Sequence, residues 1–267
     1  MKFSNTLFTR YFLIALLPIA LWACKDDDDE TPINNLTIDY GAEVFYANED
    51  ANETTLIKPQ LRPENIEGTF TVKPEGLDID SRTGVINVNT SEAGQRYYIN
   101  FTSDDNRYLG DTSLLISGID YADSLYNLDE GQDLALPILD EDPDLALPSS
   151  IFFDAEGGAV QEGLEIDLVT GAIKLKETLQ NQESLQGTPL EDGFTKRFEI
   201  PYSYNVIQNN QPIEVKSRIT LQVFYFTSRD RIPEELLQLL EEKQLYPKGG
   251  KTDGTRPPYV IVYGKYQ

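Results

Sequence analysis

The side chains that could do chemistry in this chain are oxygen-bearing ones, above all carboxylates. The sequence contains 45 Asp and Glu residues, no His, and a single Cys, Cys24, in its N-terminal segment. The lack of His and of a second Cys excludes Ser-His-Asp triads, disulfides within the chain and most zinc, copper or haem sites. Paired carboxylates could still hydrolyse glycosidic bonds, and carboxylate oxygens could bind Ca²⁺.

One acidic cluster has a composition that suits a hard cation. Asp140, Asp142 and Asp144 lie within a run of five residues, and Ca²⁺ prefers such oxygen ligands. The spacing matches no defined calcium loop and includes no Gly for a sharp turn, so a solvated acidic loop is the favoured interpretation. No carboxylate pair stands out in the sequence. We therefore expect no catalytic site and no obligatory cofactor, with Ca²⁺ as the one cofactor left open.

A repeated segment predicts two similar β-hairpins. Residues 75–86 and 162–173 match without a gap at an offset of 87, in the pattern Glu-Gly-Leu-x-Ile-Asp-x-x-Thr-Gly-x-Ile. In each copy the Asp carboxylate would accept backbone hydrogen bonds of a tight turn, and the second Gly would supply a positive φ. Ligand or cation binding by the two Asp residues is the alternative. The residues in these roles are Asp80, Gly84, Asp167 and Gly171.

The repeated pattern resembles the putative-Ig and cadherin-like repeats of bacterial surface proteins. In those families the fold is an antiparallel β-sandwich of about seven strands, which the resemblance implies for residues 36–121 and 122–226. The calcium ligands of cadherin-like repeats are not carried over, because residues 89–92 lack the acidic Asp-Arg-Glu element that follows the hairpin in that family.

Hydrophobic periodicity completes the predicted fold. Tyr97, Ile99 and Phe101 alternate with more polar residues, which predicts a half-buried strand. The expected fold class is all-β, with two tandem Ig-like antiparallel β-sandwiches. Residues 227–267 are expected to form a short extension of one helix and one strand, either a clasp on the second sandwich or a partner-docking element. The polar run 177–196 is expected to be a long loop and a candidate partner surface.

The N-terminal segment has the composition of a lipoprotein signal peptide. Residues 1–23 combine a positively charged start with an apolar run at 12–21 that is too short to span a bilayer core. Leu21 to Cys24 resembles the lipobox of bacterial lipoproteins, in which the cysteine is acylated and becomes the first residue after cleavage. The resemblance implies a lipid anchor at Cys24, with an ordinary signal peptide as the alternative.

A run of acidic residues follows this cysteine. Lys25, Asp26, Asp27, Asp28 and Asp29 resemble the export signal that routes lipoproteins of Bacteroidetes to the outer face of the outer membrane. A solvated acidic spacer is the alternative. Residues 24–35 are therefore expected to form an acidic tether, and the resemblance implies a lipid-anchored, surface-exposed protein of the outer membrane.

The overall charge restricts the class of partner. The chain has 22 Lys and Arg residues, and loss of Lys2 and Arg10 with the signal peptide would leave a mature net charge of −25. Nucleic acids and anionic lipid surfaces attract basic proteins, so neither is expected as a partner. Membrane attachment would then depend on the lipid at Cys24.

These features predict a binding or accessory module and not an enzyme. We expect a surface lipoprotein that works through protein–protein contacts, for example beside an outer-membrane nutrient transporter. The mature chain lacks Trp, whose indole offers the largest stacking face for a sugar, but its Tyr residues keep glycan binding open. A structural or adhesive spacer is a further alternative, and a carboxylate-based hydrolase is the least favoured.

Overall fold

The computed structural model describes residues 34–48, 55–208, 210–244 and 258–267. These residues form a β-rich fold, which confirms the all-β prediction. The strands are β1 (Asn34–Asn35), β2 (Thr37–Asp39), β3 (Val44–Tyr46), β4 (Leu56–Ile57), β5 (Gln60–Arg62), β6 (Gly68–Lys73), β7 (Ile86–Asn87), β8 (Gln95–Ser103), β9 (Tyr108–Ser117), β10 (Ile119–Tyr121), β11 (Ser124–Asn127), β12 (Leu134–Ala135), β13 (Pro137–Leu139), β14 (Phe152–Phe153), β15 (Ile173–Lys174), β16 (Phe194–Gln208), β17 (Gln211–Phe226) and β18 (Tyr259–Tyr263). The helices are α1 (Gly158–Gln161), α2 (Leu175–Gln186) and α3 (Glu234–Gln244). Within the described ranges, no helix has the length and apolar character needed to cross a membrane.

The first sandwich is built around the hairpin of β8 and β9. Its larger sheet has the order β3-β9-β8-β6, and β1 pairs with the opposite end of β9. The pairs β2–β5 and β4–β7 form the opposite layer. Alternation along β8 buries Tyr97, Ile99 and Phe101, as predicted, against Ile38 and Ile86 of the opposite layer.

The second sandwich repeats this plan. The pairs β10–β13 and β12–β15 form one layer, and the larger sheet has the order β11-β18-β17-β16-β14. The strand register is also repeated, since Asp39 lies opposite Gln60 and Asp120 lies opposite Ile138. The inward side chains of both layers pack in a single core. The duplication seen at 75–86 and 162–173 therefore extends through the strand pairing around it.

The C-terminal strand is an inner strand of the second sheet. β18 lies between β11 and β17 and runs parallel to both. In the first sandwich β3, the counterpart of β11, pairs directly with β9, so β18 is an added strand. Val260 and Val262 face the core of the sandwich. Ile261 faces a second cluster with Phe226 and Leu240, which places α3 on the outer face of this sheet.

The predicted long loop at 177–196 is wrong for its first half, which lies in helix α2. The residues buried along this helix follow a spacing of three, four and seven, and two of them are polar. Thr178 accepts a hydrogen bond from the backbone N–H of Glu165, and Gln182 donates to the carbonyl of Glu162. Because the buried face carries polar residues, the helical periodicity is weak in the sequence. The buried residues are Leu175, Thr178, Leu179 and Gln182.

Candidate functional site

The predicted lipidation and export residues lie outside the described part of the chain. This applies to Cys24, Lys25 and Asp26–Asp29. The first described residues, Asn34 and Asn35, already belong to the first sandwich, because β1 pairs with β9.

The predicted turn residues occupy two equivalent turns. The Oδ1 atom of Asp80 accepts hydrogen bonds from the backbone N–H groups of Arg82 and Thr83, at 3.0 and 2.7 Å. Asp167 Oδ1 accepts the equivalent bonds from Val169 and Thr170. The Thr backbone bonds are the largest cause of a lowered pKa at both carboxyl groups, because they stabilise the ionised form. Both carboxylates therefore have a structural role within their own turns.

The turn glycines lie in crowded tertiary environments. Gly84 has φ +67°, and a Cβ on it would lie 2.6 Å from the ring of Phe70 and 2.8 Å from Pro59. Gly171 has φ +69°, and the residues around it are Phe153 and Pro137. Only Gly satisfies both the backbone angle and the space. The turn pattern in the sequence does not identify these surrounding residues, although a Phe and a Pro surround the glycine in both copies.

The acidic loop lies at the junction between the two sandwiches. Asp140 Oδ1 accepts a hydrogen bond from the backbone N–H of Gly118 at 2.8 Å, and Oδ2 accepts one from Ser117 Oγ at 3.2 Å. Burial raises the pKa of Asp140, because it disfavours the charged form. Asp142 instead accepts from the backbone N–H of Asp144. In the described ranges, no group of three or more potential ligands is placed to hold a metal ion.

Two tyrosines of β16 lie at the same junction, and Tyr204 contacts the first sandwich. Within the second sandwich, the Tyr202 hydroxyl accepts a hydrogen bond of 3.0 Å from the backbone N–H of Ile119, the first residue of β10. The hydroxyls of Tyr204 and Ser117 are 3.2 Å apart. On another side, Lys216 donates its backbone N–H to the carbonyl of Ala47 in the first sandwich. The Tyr204–Ser117 and Lys216–Ala47 contacts join the sandwiches, and the described residues from 34 onwards belong to one compact unit.

A groove of about 610 Å³ lies beside this junction. Its walls come from the segment after β7, the start of β10 and the middle of β17. Hydroxyl, amide and charged groups share the lining about equally with apolar atoms, which gives the groove the chemistry to hydrogen-bond a hydroxyl-rich or peptide ligand. The polar residues of this kind include Asn89, Thr90, Glu92, Asp120, Arg218 and Thr220.

Two carboxylates of the groove also have internal hydrogen bonds. Glu92 Oε2 accepts from Gln95 Nε2 at 3.2 Å, and Asp120 Oδ1 accepts from the backbone N–H of Tyr121 at 2.8 Å. No local sequence pattern indicates that these two carboxylates share a groove, because they are 28 positions apart and lie on different sandwiches.

No protein-family model matches the chain, and no curated protein matches its sequence.

Proposed function

We propose that the chain is a non-enzymatic, lipid-anchored protein of the outer-membrane surface that acts as a binding or accessory module through protein–protein contacts. Cys24 carries the proposal, because the only cysteine of the chain follows Leu21-Trp22-Ala23 and precedes the acidic run 25–29. A lipid there would hold the start of the sandwiches close to the membrane. Asn34 lies ten positions later, and an extended segment of that length reaches at most about 35 Å.

The junction supports a binding module over a passive spacer. Tyr204 and Asp140 of the second sandwich each contact the hydroxyl of Ser117 in β9, and Lys216 bonds the carbonyl of Ala47, so the sandwiches are held in one relative orientation. A surface formed by both sandwiches then keeps its shape without further ordering when a partner binds. Such preorganisation favours affinity.

Two variants separate the anchor from the export signal. Cys24→Ser removes the acylation site, and we expect the protein to move from the membrane to the soluble fraction. Replacement of Asp26–Asp29 by Asn retains the cysteine, and we expect a membrane-bound protein that added protease no longer reaches in intact cells. Membrane retention of Cys24→Ser would contradict the anchor. Unchanged protease access in the Asn variant would contradict the export role.

The accessory role requires an additional experiment. The lipidated protein is isolated from gently solubilised outer membranes, with the Cys24→Ser protein as a control for soluble contaminants. We expect a stoichiometric outer-membrane protein to accompany only the lipidated form. Recovery of the chain alone would contradict the accessory role and favour the spacer.

The polar groove favours a second candidate function, binding of a glycan. Its hydroxyl and amide groups suit sugar hydroxyls, and its carboxylates would supply the acid and base of a hydrolase if the bound sugar were cleaved. Binding to a glycan array that is lost in Asn89→Ala and retained in a distant surface variant, Leu185→Ala, would favour this candidate. Cleavage of the bound glycan that is lost in Glu92→Gln would revive the hydrolase.

A further inference from the structure

An apolar stripe lies on the outer face of the second sandwich. It consists of Leu134, Leu136 and Ile138, and we call these three residues the apolar stripe. Leu134 is 50 % exposed and Leu136 is 59 % exposed, whereas Ala135 between them is fully buried. Ile138 continues the outward series and is half-buried opposite Asp120. The larger side chains of this segment therefore face solvent and the smallest faces the core.

The first sandwich shows that the fold does not require this arrangement. In the repeated register, Gln60 takes the position of Ile138 and Lys58 takes the position of Leu136. Both of these polar residues are exposed. The position of Leu134 is the exception, because the first sandwich also has an exposed leucine there, Leu56. Since the same strand pairing forms with polar residues, the two extra apolar side chains need another explanation, and exposed apolar patches are typical of interaction sites.

The charges around the apolar stripe restrict what covers it. Asp120 lies opposite Ile138, and Asp133 immediately precedes the stripe. The cross-strand cation, Lys174, is paired with Glu165 at 3.6 Å. The surroundings are therefore acidic, and they complement basic groups. A second copy of the chain would bring another 25 net negative charges after signal cleavage, and an anionic lipid surface would also repel the stripe.

We propose that the apolar stripe is the docking surface for a separate protein whose contact surface has an apolar centre framed by Lys and Arg. The inference rests on the proposed function and names the surface and the partner chemistry for it. Leu136 and Ile138 form the centre of the contact, and the acidic residues beside them set the orientation of the partner and its rate of association.

Photocrosslinking in cells tests the location of the docking surface. The photoreactive residue benzoylphenylalanine replaces Leu136 in one strain and Ile207 in another. Ile207 is the matched control, because it is apolar and 72 % exposed on β16, outside the stripe. We expect the photoreactive residue at position 136 to crosslink to a partner protein, and the one at position 207 to form no crosslink with that partner. No adduct at position 136, or adducts only with a second copy or with lipid, would overturn the proposal.

Variants that introduce the equivalent residues of the first sandwich test how much the apolar stripe contributes to binding affinity. Leu136→Lys with Ile138→Gln copies the polar residues of the equivalent strand, and Leu136→Lys alone is a second variant at the more exposed position. The partner identified by crosslinking is then purified on its own for binding measurements. We expect either variant to raise the Kd for this partner by about tenfold or more, and we expect added salt to weaken binding. Ile207→Gln should leave the Kd unchanged. Melting temperatures verify that each variant folds.

The outcomes separate the two proposals. An unchanged Kd in both stripe variants would overturn the docking surface and leave the accessory role intact. Membrane retention of Cys24→Ser would contradict the lipid anchor, but it would leave the binding measurement on purified protein valid.

Discussion

The hydroxyl of Tyr40 donates a hydrogen bond of 2.7 Å to the carbonyl oxygen of Gly84. The bond joins the segment after β2 to the tight turn that precedes β7. Tyr121 makes the same bond to Gly171 in the second sandwich, at 2.5 Å. Both tyrosines are buried, and each satisfies a turn carbonyl that the strand ladders leave unpaired. The duplication therefore preserves a tertiary contact as well as a local turn.

The environment of Gly84 predicts a large effect of a single methyl group. Gly84→Ala combines a positive φ with a Cβ 2.6 Å from the Phe70 ring. Gly41→Ala is the matched control in the same sandwich, because Gly41 has φ +82° with nothing within 4 Å of a Cβ. We expect Gly41→Ala to cost about 1 kcal/mol of unfolding free energy from backbone strain, and Gly84→Ala to cost about 1–3 kcal/mol more from overpacking.

Urea unfolding of the purified variants measures this difference. The same comparison for Gly84→Val should give a still larger loss, since a β-branched residue is least tolerant of positive φ. Equal losses for Gly84→Ala and Gly41→Ala would contradict the crowding described around the turn.

Local patterns in the sequence were sufficient for the fold class and for the turn signature. The alternation of Tyr97, Ile99 and Phe101 identifies β8, and the spacing from Asp80 to Gly84 identifies a turn. Each signal involves residues that are close together in the chain, so it can be recognised in a single sequence. The contacts of Gly84 with Tyr40, Phe70 and Pro59 could not be read in this way, because tertiary packing brings together residues 14 to 44 positions apart.

The sequence also could not show which face of the segment 134–138 is buried. Leu134, Leu136 and Ile138 alternate as a strand with apolar residues on one side would, yet Ala135 occupies the core position. Alternation fixes which residues share a face but not which face is buried. The register with β15, where Ala135 lies opposite Ile173, decides this choice. This pairing leaves the apolar stripe on the outer face, where we propose that the partner docks.

The junction predicts that the two sandwiches unfold together. Tyr204→Phe removes the hydroxyl that lies 3.2 Å from Ser117 Oγ across the junction, and we expect a loss of about 0.5–1.5 kcal/mol. Tyr98→Phe is the control, because Tyr98 is 47 % exposed, and we expect little change. Calorimetry should show one transition in the wild-type protein. Two separate transitions there, or equal effects of the two variants, would argue against a rigid junction.

The turn carboxylates predict a pH dependence of stability. Folding lowers the pKa of Asp80 and Asp167 from their ordinary value of 3.8. The folded state thus binds protons more weakly than the unfolded state, so the stabilisation is present above pH 3.8 and is lost as the pH falls through the lower, folded value. We expect Asp80→Asn with Asp167→Asn to be less stable than wild type at pH 7 and closer to it at pH 3. Urea unfolding at both pH values measures the gap, and a constant gap would contradict this origin.

The acidic loop predicts a weak response to calcium. The two carboxylate oxygens of Asp140 accept hydrogen bonds from Ser117 and Gly118, and Asp142 accepts one within its own loop. A cation would have to replace these bonds. We expect 1 mM Ca²⁺ to raise the Tm by less than about 2 °C over an EDTA-treated sample, with Mg²⁺ as the control, because tight binding would give a larger shift. A saturable rise at micromolar Ca²⁺ would show that the loop is a calcium site.

The packing of α3 predicts opposite results for two adjacent leucines. Leu240 is 4 % exposed and contacts the cluster around Ile261, whereas Leu239 is 39 % exposed on the same helix. Leu240→Ala removes buried side-chain volume against β18, and we expect it to cost about 2–5 kcal/mol of unfolding free energy. Leu239→Ala changes no buried contact of this kind and should stay within about 0.5 kcal/mol of wild type. Urea unfolding of both variants makes the comparison at equal change in side-chain size. A large loss for Leu239→Ala together with a small one for Leu240→Ala would mean that the helix presents its other face to the sheet, and equal small losses would mean that α3 does not stabilise the second sandwich.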